Sequence, residues 1–256
     1  MKLCNLIEIF NDIADPSLCS DWDNSGLIAG DEEKEIKSVL VALDATDDVI
    51  DEAVELKADL ILTHHPLIFR GIKKVNSRDF TGRRIMKLIQ NDIACFAMHT
   101  NFDISCMSDE AADRLGLSDA GILQPTGENI GFGRVGTLSR RMRIIELSDH
   151  VKEKFELEYV KVFGDTDCIV QNVAIMPGSG ASAIDDAVNA KAQVLITGDI
   201  DHHEGIDAVE KGIAIIDAGH FGIEKIFIDY MKEYIKRNAE TITVFTDNRE
   251  KGFSII

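Results

Sequence analysis

Seven histidines occur in the chain, and all but His150 fall in four short stretches: His64-His65, His99, His202-His203 and His220. Neutral imidazole is the commonest transition-metal ligand, and imidazoles gathered with carboxylates mark a metal or catalytic site more strongly than any one of them does. In GHFGIEK, His220 and Glu224 stand four apart, so one helical turn stacks them on one face within reach of one ion. HTNFD repeats that spacing with His99 and Asp103. In LTHHPLIF, His64 and His65 close an apolar run. Adjacent side chains in extended backbone point to opposite sides, which suits two neighbouring ions better than chelation of one. ITGDIDHHEG adds Asp199, His202 and His203, whose spacing does not make them primary ligands and leaves them as supporting or acid/base groups. Taken alone, each stretch also fits a hydrogen-bonded pair at a strand or helix end; the set is what points to metal.

Elements must hold these side chains. Apolar residues at Leu3, Leu6, Ile7, Phe10 and Ile13 predict an opening helix that Asp15-Pro16 closes. Residues 38–43 suit a buried strand, 47–57 a helix, Leu60–Thr63 a strand, 81–90 a helix and 93–98 a strand. Beyond them the pattern gives a helix over 144–156, strands near Tyr159, Val173, Val194, Ile213 and Val244, and a long helix over 221–237. Strands alternating with helices predict parallel pairing and an α/β fold. Each histidine stretch follows or adjoins a strand end, and α/β proteins place ligands at the carboxyl edge of their parallel strands.

An internal repeat runs through this pattern. SVLVALDATDDVIDEAVELKADLILTHH, from Ser38, lies over NVAIMPGSGASAIDDAVNAKAQVLITGD, from Asn172, without a gap. Val39/Val173, Ile50/Ile184, Asp51/Asp185, Ala53/Ala187, Val54/Val188, Lys57/Lys191, Ala58/Ala192 and Thr63/Thr197 are identical. One strand-helix-strand unit is used twice. Ile93-Ala94 then leads to His99 and Asp103, and Ile213-Ala214 leads to His220 and Glu224, so both copies end in His-x-x-x-carboxylate. This divides the chain into a first repeat, 1–123, and a second, 124–256, with no low-complexity linker between them. A pseudo-twofold axis relating the copies would bring their ends together.

The chain's 256 residues are 45% hydrophobic, which supports a folded core. Its 45 acidic against 27 basic residues give a net charge of −18, a field that repels nucleic acid and anionic membranes, so no tight nucleic-acid binding and no membrane association are expected. The apolar stretches fall short of the roughly 20 residues that span a bilayer. Glu8 and Asp12 interrupt the N-terminus where a signal peptide would be apolar, giving a cytoplasmic expectation. Cys4, Cys19, Cys95, Cys106 and Cys168 are odd in number and form no CxxC, so each reads as a small core residue. The sole tryptophan, Trp22, reads as a packing anchor, and residues 127–136 as a glycine-containing loop with a strand starting at Val135. Arg70, Lys73, Lys74, Arg78, Arg83 and Arg84 gather after the first histidine pair, as a solvated basic face or as a hold for phosphates.

The stretches WDNSGLIAGD, LTHHPLIF, MHTNFD, GFGRVG, the GSG after the Val173 strand, TGDIDHHEG and GHFGIEK resemble, in order and over nearly the whole chain, the NGG-interacting-factor-three-like dinuclear metal proteins, also described as GTP cyclohydrolase I type 2. The resemblance is to the short form, which lacks an inserted domain. It implies two metals held by His64, His65, Asp103, His220 and Glu224, with Glu224 or Asp103 bridging. It also implies intertwined α/β repeats and a toroidal homohexamer.

Two neighbouring divalent ions acidify a shared water and polarise the bond it attacks, which suits hydrolysis. The resemblance implies ring opening of GTP with loss of formate, and His99, His202 and His203 become candidates for proton transfer, because imidazole titrates near neutrality. The alternatives are a protein that stores or delivers metal and an interaction scaffold that metal stabilises. Mixed histidine and carboxylate ligands suit zinc, iron, manganese and nickel alike.

Overall fold

Thr46 accepts a hydrogen bond from the Val49 amide and Asp79 one from the Gly82 amide, so each side chain caps the helix that follows it. The structure, a computed structural model, describes residues 1–247. Two compact units form: Met1–Ser105 together with the residues from Phe227 on, and Cys106–Ile226.

The first unit contains α1 (Leu3–Ile13), β1 (Gly26–Ala29), β2 (Ser38–Ala42), α2 (Asp47–Leu56), β3 (Leu60–Thr63), α3 (Phe80–Gln90), β4 (Ala94–Ala97) and α4 (Thr100–Phe102). The second contains α5 (Ser108–Leu115), β5 (Leu117–Gly127), β6 (Ile130–Arg143), α6 (Ile144–Lys154), β7 (Lys161–Phe163), β8 (Ile169–Ser179), α7 (Ile184–Asn189), β9 (Val194–Gly198), α8 (His202–Glu210), β10 (Ala214–Asp217) and α9 (His220–Glu224). The chain then forms α10 (Ile226–Asn238) and β11 (Thr243–Thr246). β11 pairs in parallel with β2, so the tail completes the first sheet and the unit boundaries differ from the halves drawn on the repeat.

The first sheet has the order β1-β4-β3-β2-β11, parallel throughout except at β1. The second has the order β5-β6-β8-β9-β10-β7, with β8, β9 and β10 parallel and the outer pairings antiparallel. β3, β4 and β9 are buried along their whole length, as strands covered on both faces are. Leu40, Ile50, Ala53, Ile61 and Leu88 form the core of the first unit, and Ala174, Ala187, Leu195 and Ile215 lie in that of the second.

The repeat is structural as well as textual. Lys57 and Lys191 both take left-handed φ, 53° and 60°, just past their helices. The next amide, Ala58 or Ala192, bonds back to Ala53 or Ala187 at 2.9 Å. The duplication also begins earlier than the sequence comparison found. β1 and β7 each pair antiparallel with the last strand of their repeat. Gly30 and Gly164, in the same gapless register and both at positive φ, each abut the first alanine of that strand, Ala94 or Ala214. A Cβ would come within 2.7 and 3.1 Å of those alanines, so glycine is needed for the strands to approach. The signal was present as Gly30-Asp31 over Gly164-Asp165.

Several expectations need correction. Residues 127–136 form a hairpin rather than a loop, because Asn129 takes φ 61° and turns β5 directly into β6 at Ile130. The long final helix is two, α9 and α10, separated at Lys225. Only Cys95 and Cys106 are buried; Cys4 and Cys19 are half-buried and Cys168 is exposed. Burial pushes the Cys95 thiol up to about 12, which leaves it inert. Trp22 is 60% exposed and anchors no core. Among the described residues no helix is long and apolar enough to cross a membrane.

Candidate metal centre

In the first unit the donors emerge where β2, β3 and β4 end. Thr63 closes β3 and its hydroxyl donates to the His65 carbonyl at 2.8 Å, while the His65 amide donates to the Leu43 carbonyl at 2.9 Å. These bonds bend the chain, so the alternation of extended backbone does not apply to the histidine pair. The two rings lie 4.9 Å apart instead of on opposite faces. His64, His65 and His99 each offer a ring nitrogen, and the three nitrogens lie within 4.8 Å of one another. His99 therefore sits among ligand candidates, as its spacing to Asp103 suggested, although the family resemblance leaves it out of the ligand set and makes it a candidate proton carrier.

Each ring is held by its Nδ1 atom. His64, fully buried, has Nδ1 2.8 Å from the Met98 carbonyl; a carbonyl only accepts, so this nitrogen donates. His65 Nδ1 lies 3.0 Å from Asp44 Oδ1, and His99 Nδ1 lies 2.7 Å from Asp23 Oδ1. Locking Nδ1 on an acceptor fixes the ring's orientation and leaves Nε2 as the edge turned to the neighbouring donors, the arrangement that metal-ligating histidines use. His64 Nε2 faces Asp103 Oδ1 at 3.4 Å. A carboxylate oxygen and an imidazole nitrogen edge to edge require a cation between them, either a proton or a metal. Asp103 opens a single π-helical turn, Asp103–Met107, an irregularity that recurs at functional sites.

The second unit repeats the scheme with different residues. His220 opens α9; its Nδ1 lies 2.7 Å from Asp199 Oδ2 and its Nε2 lies 3.0 Å from Glu224 Oε2. Glu224 is buried. In the gapless repeat Asp199 occupies the place of His65, Gly198 that of His64, and Gly178 that of Asp44. The glycines make room. A Cβ on Gly198 would come 2.4 Å from the His220 amide nitrogen, and one on Gly178 2.3 Å from Glu224 Oε1. Gly178 also sits at φ +73°, and Asp199 holds φ 55°, a conformation that a non-glycine residue adopts where its surroundings enforce it. Each unit thus presents an Nε2 edge beside a carboxylate, at the carboxyl ends of parallel strands.

His202 and His203 open α8 on its exposed first turn, between the capping-box residues Asp201 and Glu204, with their rings 5.3 Å apart. Of the basic cluster, Arg83 and Arg84 pair with Asp47, whereas Arg70, Lys73, Lys74 and Arg78 are exposed on the connection before α3.

Asp23 is the residue that sequence reasoning missed as part of the site. Its side chain has no exposed area and accepts from His99, the Thr100 amide and hydroxyl, and Ser25. Burial pushes its carboxyl up, but the hydrogen bonds from His99, Thr100 and Ser25 outweigh it and hold the group well below the usual carboxylate range. A carboxyl depressed in the folded state stabilises the fold above its unfolded pKa, near 3.9, and that contribution fades as pH falls towards the folded value. Asp23→Asn turns one acceptor oxygen into a donor facing donors. It is therefore expected to lower stability by about 1–3 kcal/mol at pH 7, with the gap to the parent narrowing below about pH 4. Urea unfolding at the two pH values checks this, and equal midpoints at pH 7 would contradict it.

The family model for Duf34/NIF3 (NGG1p interacting factor 3) matches residues 1–251. The chain belongs to this family. A relative named GTP cyclohydrolase 1 type 2 homolog from Clostridium perfringens is 36% identical over 254 residues, covering 98% of this chain and 97% of its own. Another of that name, from Clostridium acetobutylicum, is 39% identical over 87% of this chain and 84% of its own. Among solved structures, a Bacillus cereus protein related to NIF3 shares the fold at TM-score 0.92 and 24% identity, covering 100% of this chain and 99% of that one. Reduced HcgD from Methanocaldococcus jannaschii aligns at TM-score 0.85 and 29% identity, covering 97% of this chain and 98% of its own. In this NIF3-family chain three of the four histidine stretches, His64-His65, His99 and His220, contribute to side-chain groups that could hold a metal ion, and His202-His203 does not. Asp44 gave no comparable sign, apart from its position just past β2, at the edge where ligands gather.

Proposed function

We propose that the chain is a metal-dependent hydrolase of the GTP cyclohydrolase type, holding two divalent transition-metal ions with His64, His65, Asp103, His220 and Glu224. The observation that carries this reading is the locking of four imidazoles, His64, His65, His99 and His220, through Nδ1 by a carbonyl or carboxylate. Groups serving only the fold have no need of so uniform an arrangement. The donors fit zinc, iron, manganese or nickel, and two carboxylates balance part of the charge of two ions. When bound, such ions supply Lewis acidity and acidify water.

The names of the relatives bring GTP into the proposal. Ring opening adds one water across the guanine C8–N bond to give a formamide, and a second water releases formate, leaving both nitrogens on the pyrimidine. Protons must reach those nitrogens, and His99, His202 and His203 are the proposed carriers. Asp23 would keep the His99 ring in one orientation while its proton moves. Metal-replete protein incubated with GTP should release formate as the purine absorbance falls. No formate from GTP would end the cyclohydrolase reading, and retained metal without any product would favour metal storage or delivery.

The family resemblance also supports a closed homohexamer, as symmetric closure is the common outcome for soluble homo-oligomers. Multi-angle light scattering should return six times the 28.3 kDa chain mass. A monomer across micromolar concentrations would remove the assembly and leave the metal ligands untouched.

A further inference from the structure

Trp22 is the only tryptophan, and it is 60% exposed. Its indole lies 5.8 Å, centroid to centroid, from the half-exposed Phe69 ring and 5.8 Å from the His99 ring, and Phe69 lies 6.2 Å from His99. Three rings therefore meet beside the imidazole group of the first unit, two of them open to water. Little of this serves folding, because area left in water adds almost nothing to the hydrophobic term. The group is nonetheless held in place. Asp23 fixes the turn from beneath, and Asn24 Nδ2 donates to the Ile68 carbonyl at 2.5 Å, tying the segment that carries Trp22 to the one that carries Phe69. Immediately after Phe69 come Arg70, Lys73, Lys74 and Arg78, all exposed, on a chain whose net charge is −18.

We propose that Trp22 and Phe69 form a stacking shelf for the planar heterocycle of a phosphorylated ligand, with the cations that follow Phe69 receiving its phosphates. This deepens the hydrolase reading and rests on it for the use of the shelf. A base stacks on an aromatic face whatever its edge pattern, so the shelf grips the ring and His99 stands beside it. The cations explain how so acidic a chain draws an anion to this side.

The test uses the single indole as its own probe, on the full chain. GTP and ATP should each quench Trp22 emission saturably, whereas inorganic tripolyphosphate, which lacks a ring, should not. By calorimetry, Trp22→Ala and Phe69→Ala should weaken GTP binding about tenfold or more, as expected for a lost base-stacking contact, while Trp22→Phe binds within about threefold of the parent. Tripolyphosphate should bind the three variants and the parent alike, which also shows that the variants are folded. Absence of quenching by both nucleotides, or GTP binding by Trp22→Ala as tight as the parent's, would overturn the shelf. Quenching without formate release keeps the shelf and removes the hydrolase; formate release with unchanged kcat/KM in Trp22→Ala does the reverse.

Discussion

His220→Ala is expected to lose bound metal and turnover together. The ring contributes Nε2, its Nδ1 is committed to Asp199, and no other histidine of the second unit lies on α9. Its Nε2 lies 3.0 Å from the buried Glu224 carboxylate, so removing the ring takes away one donor and disturbs the neighbouring one. The loss should therefore exceed that of a single contact. Asp199→Asn is the graded comparison: it keeps Nε2 and disturbs only the group behind it, so metal affinity should fall by roughly the 10- to 100-fold typical of outer-shell partners. Metal analysis of both variants after dialysis, with formate release measured at saturating metal, separates the two. Two equivalents of metal retained by His220→Ala would remove His220 from the ligand set.

The histidine stretches were legible in the sequence because a histidine beside a strand end is conspicuous, and the α/β order because the strands are short apolar runs between amphipathic helices. What it could not expose was held by tertiary packing. Asp23 stands in a stretch without periodicity, and its partners His99 and Thr100 lie in distant sequence. Gly178 and Gly198 leave space for Glu224 and His220, and a missing side chain leaves no pattern to read. The opposed orientation expected of His64 and His65 failed for a related reason: it assumed the strand continued, whereas hydrogen bonds from the Thr63 hydroxyl and the His65 amide end it. Trp22 was misread because tryptophan is usually buried, and exposure is a property of the fold around a residue.

The repeat explains why the units differ where chemistry is concerned. Over the shared register the scaffold positions are kept, including Lys57 and Lys191 with their left-handed backbone. The divergent positions are those at the strand ends: His64-His65 in one copy, Gly198-Asp199 in the other. One unit supplies imidazoles directly from its strand end. The other supplies small residues there and lets α9 approach with His220 and Glu224.

The second large effect concerns proton transfer. His99→Ala and His203→Ala are each expected to keep two equivalents of metal and to lose kcat by roughly 10²- to 10⁴-fold, the usual contribution of a general acid or base. The two positions make the comparison informative. His99 is mostly enclosed, with Asp23 at 2.7 Å behind it and the His64 and His65 rings in front. His203 is exposed at the start of α8, where an added imidazole can enter the space its ring vacates. Imidazole should therefore rescue His203→Ala and leave His99→Ala unrescued. Loss of one metal from His99→Ala would move His99 into the ligand set, consistent with its nitrogen lying within 4.8 Å of those of His64 and His65. An unchanged kcat in His203→Ala would leave the pair on α8 without a part in the reaction and place the whole burden of proton transfer on His99.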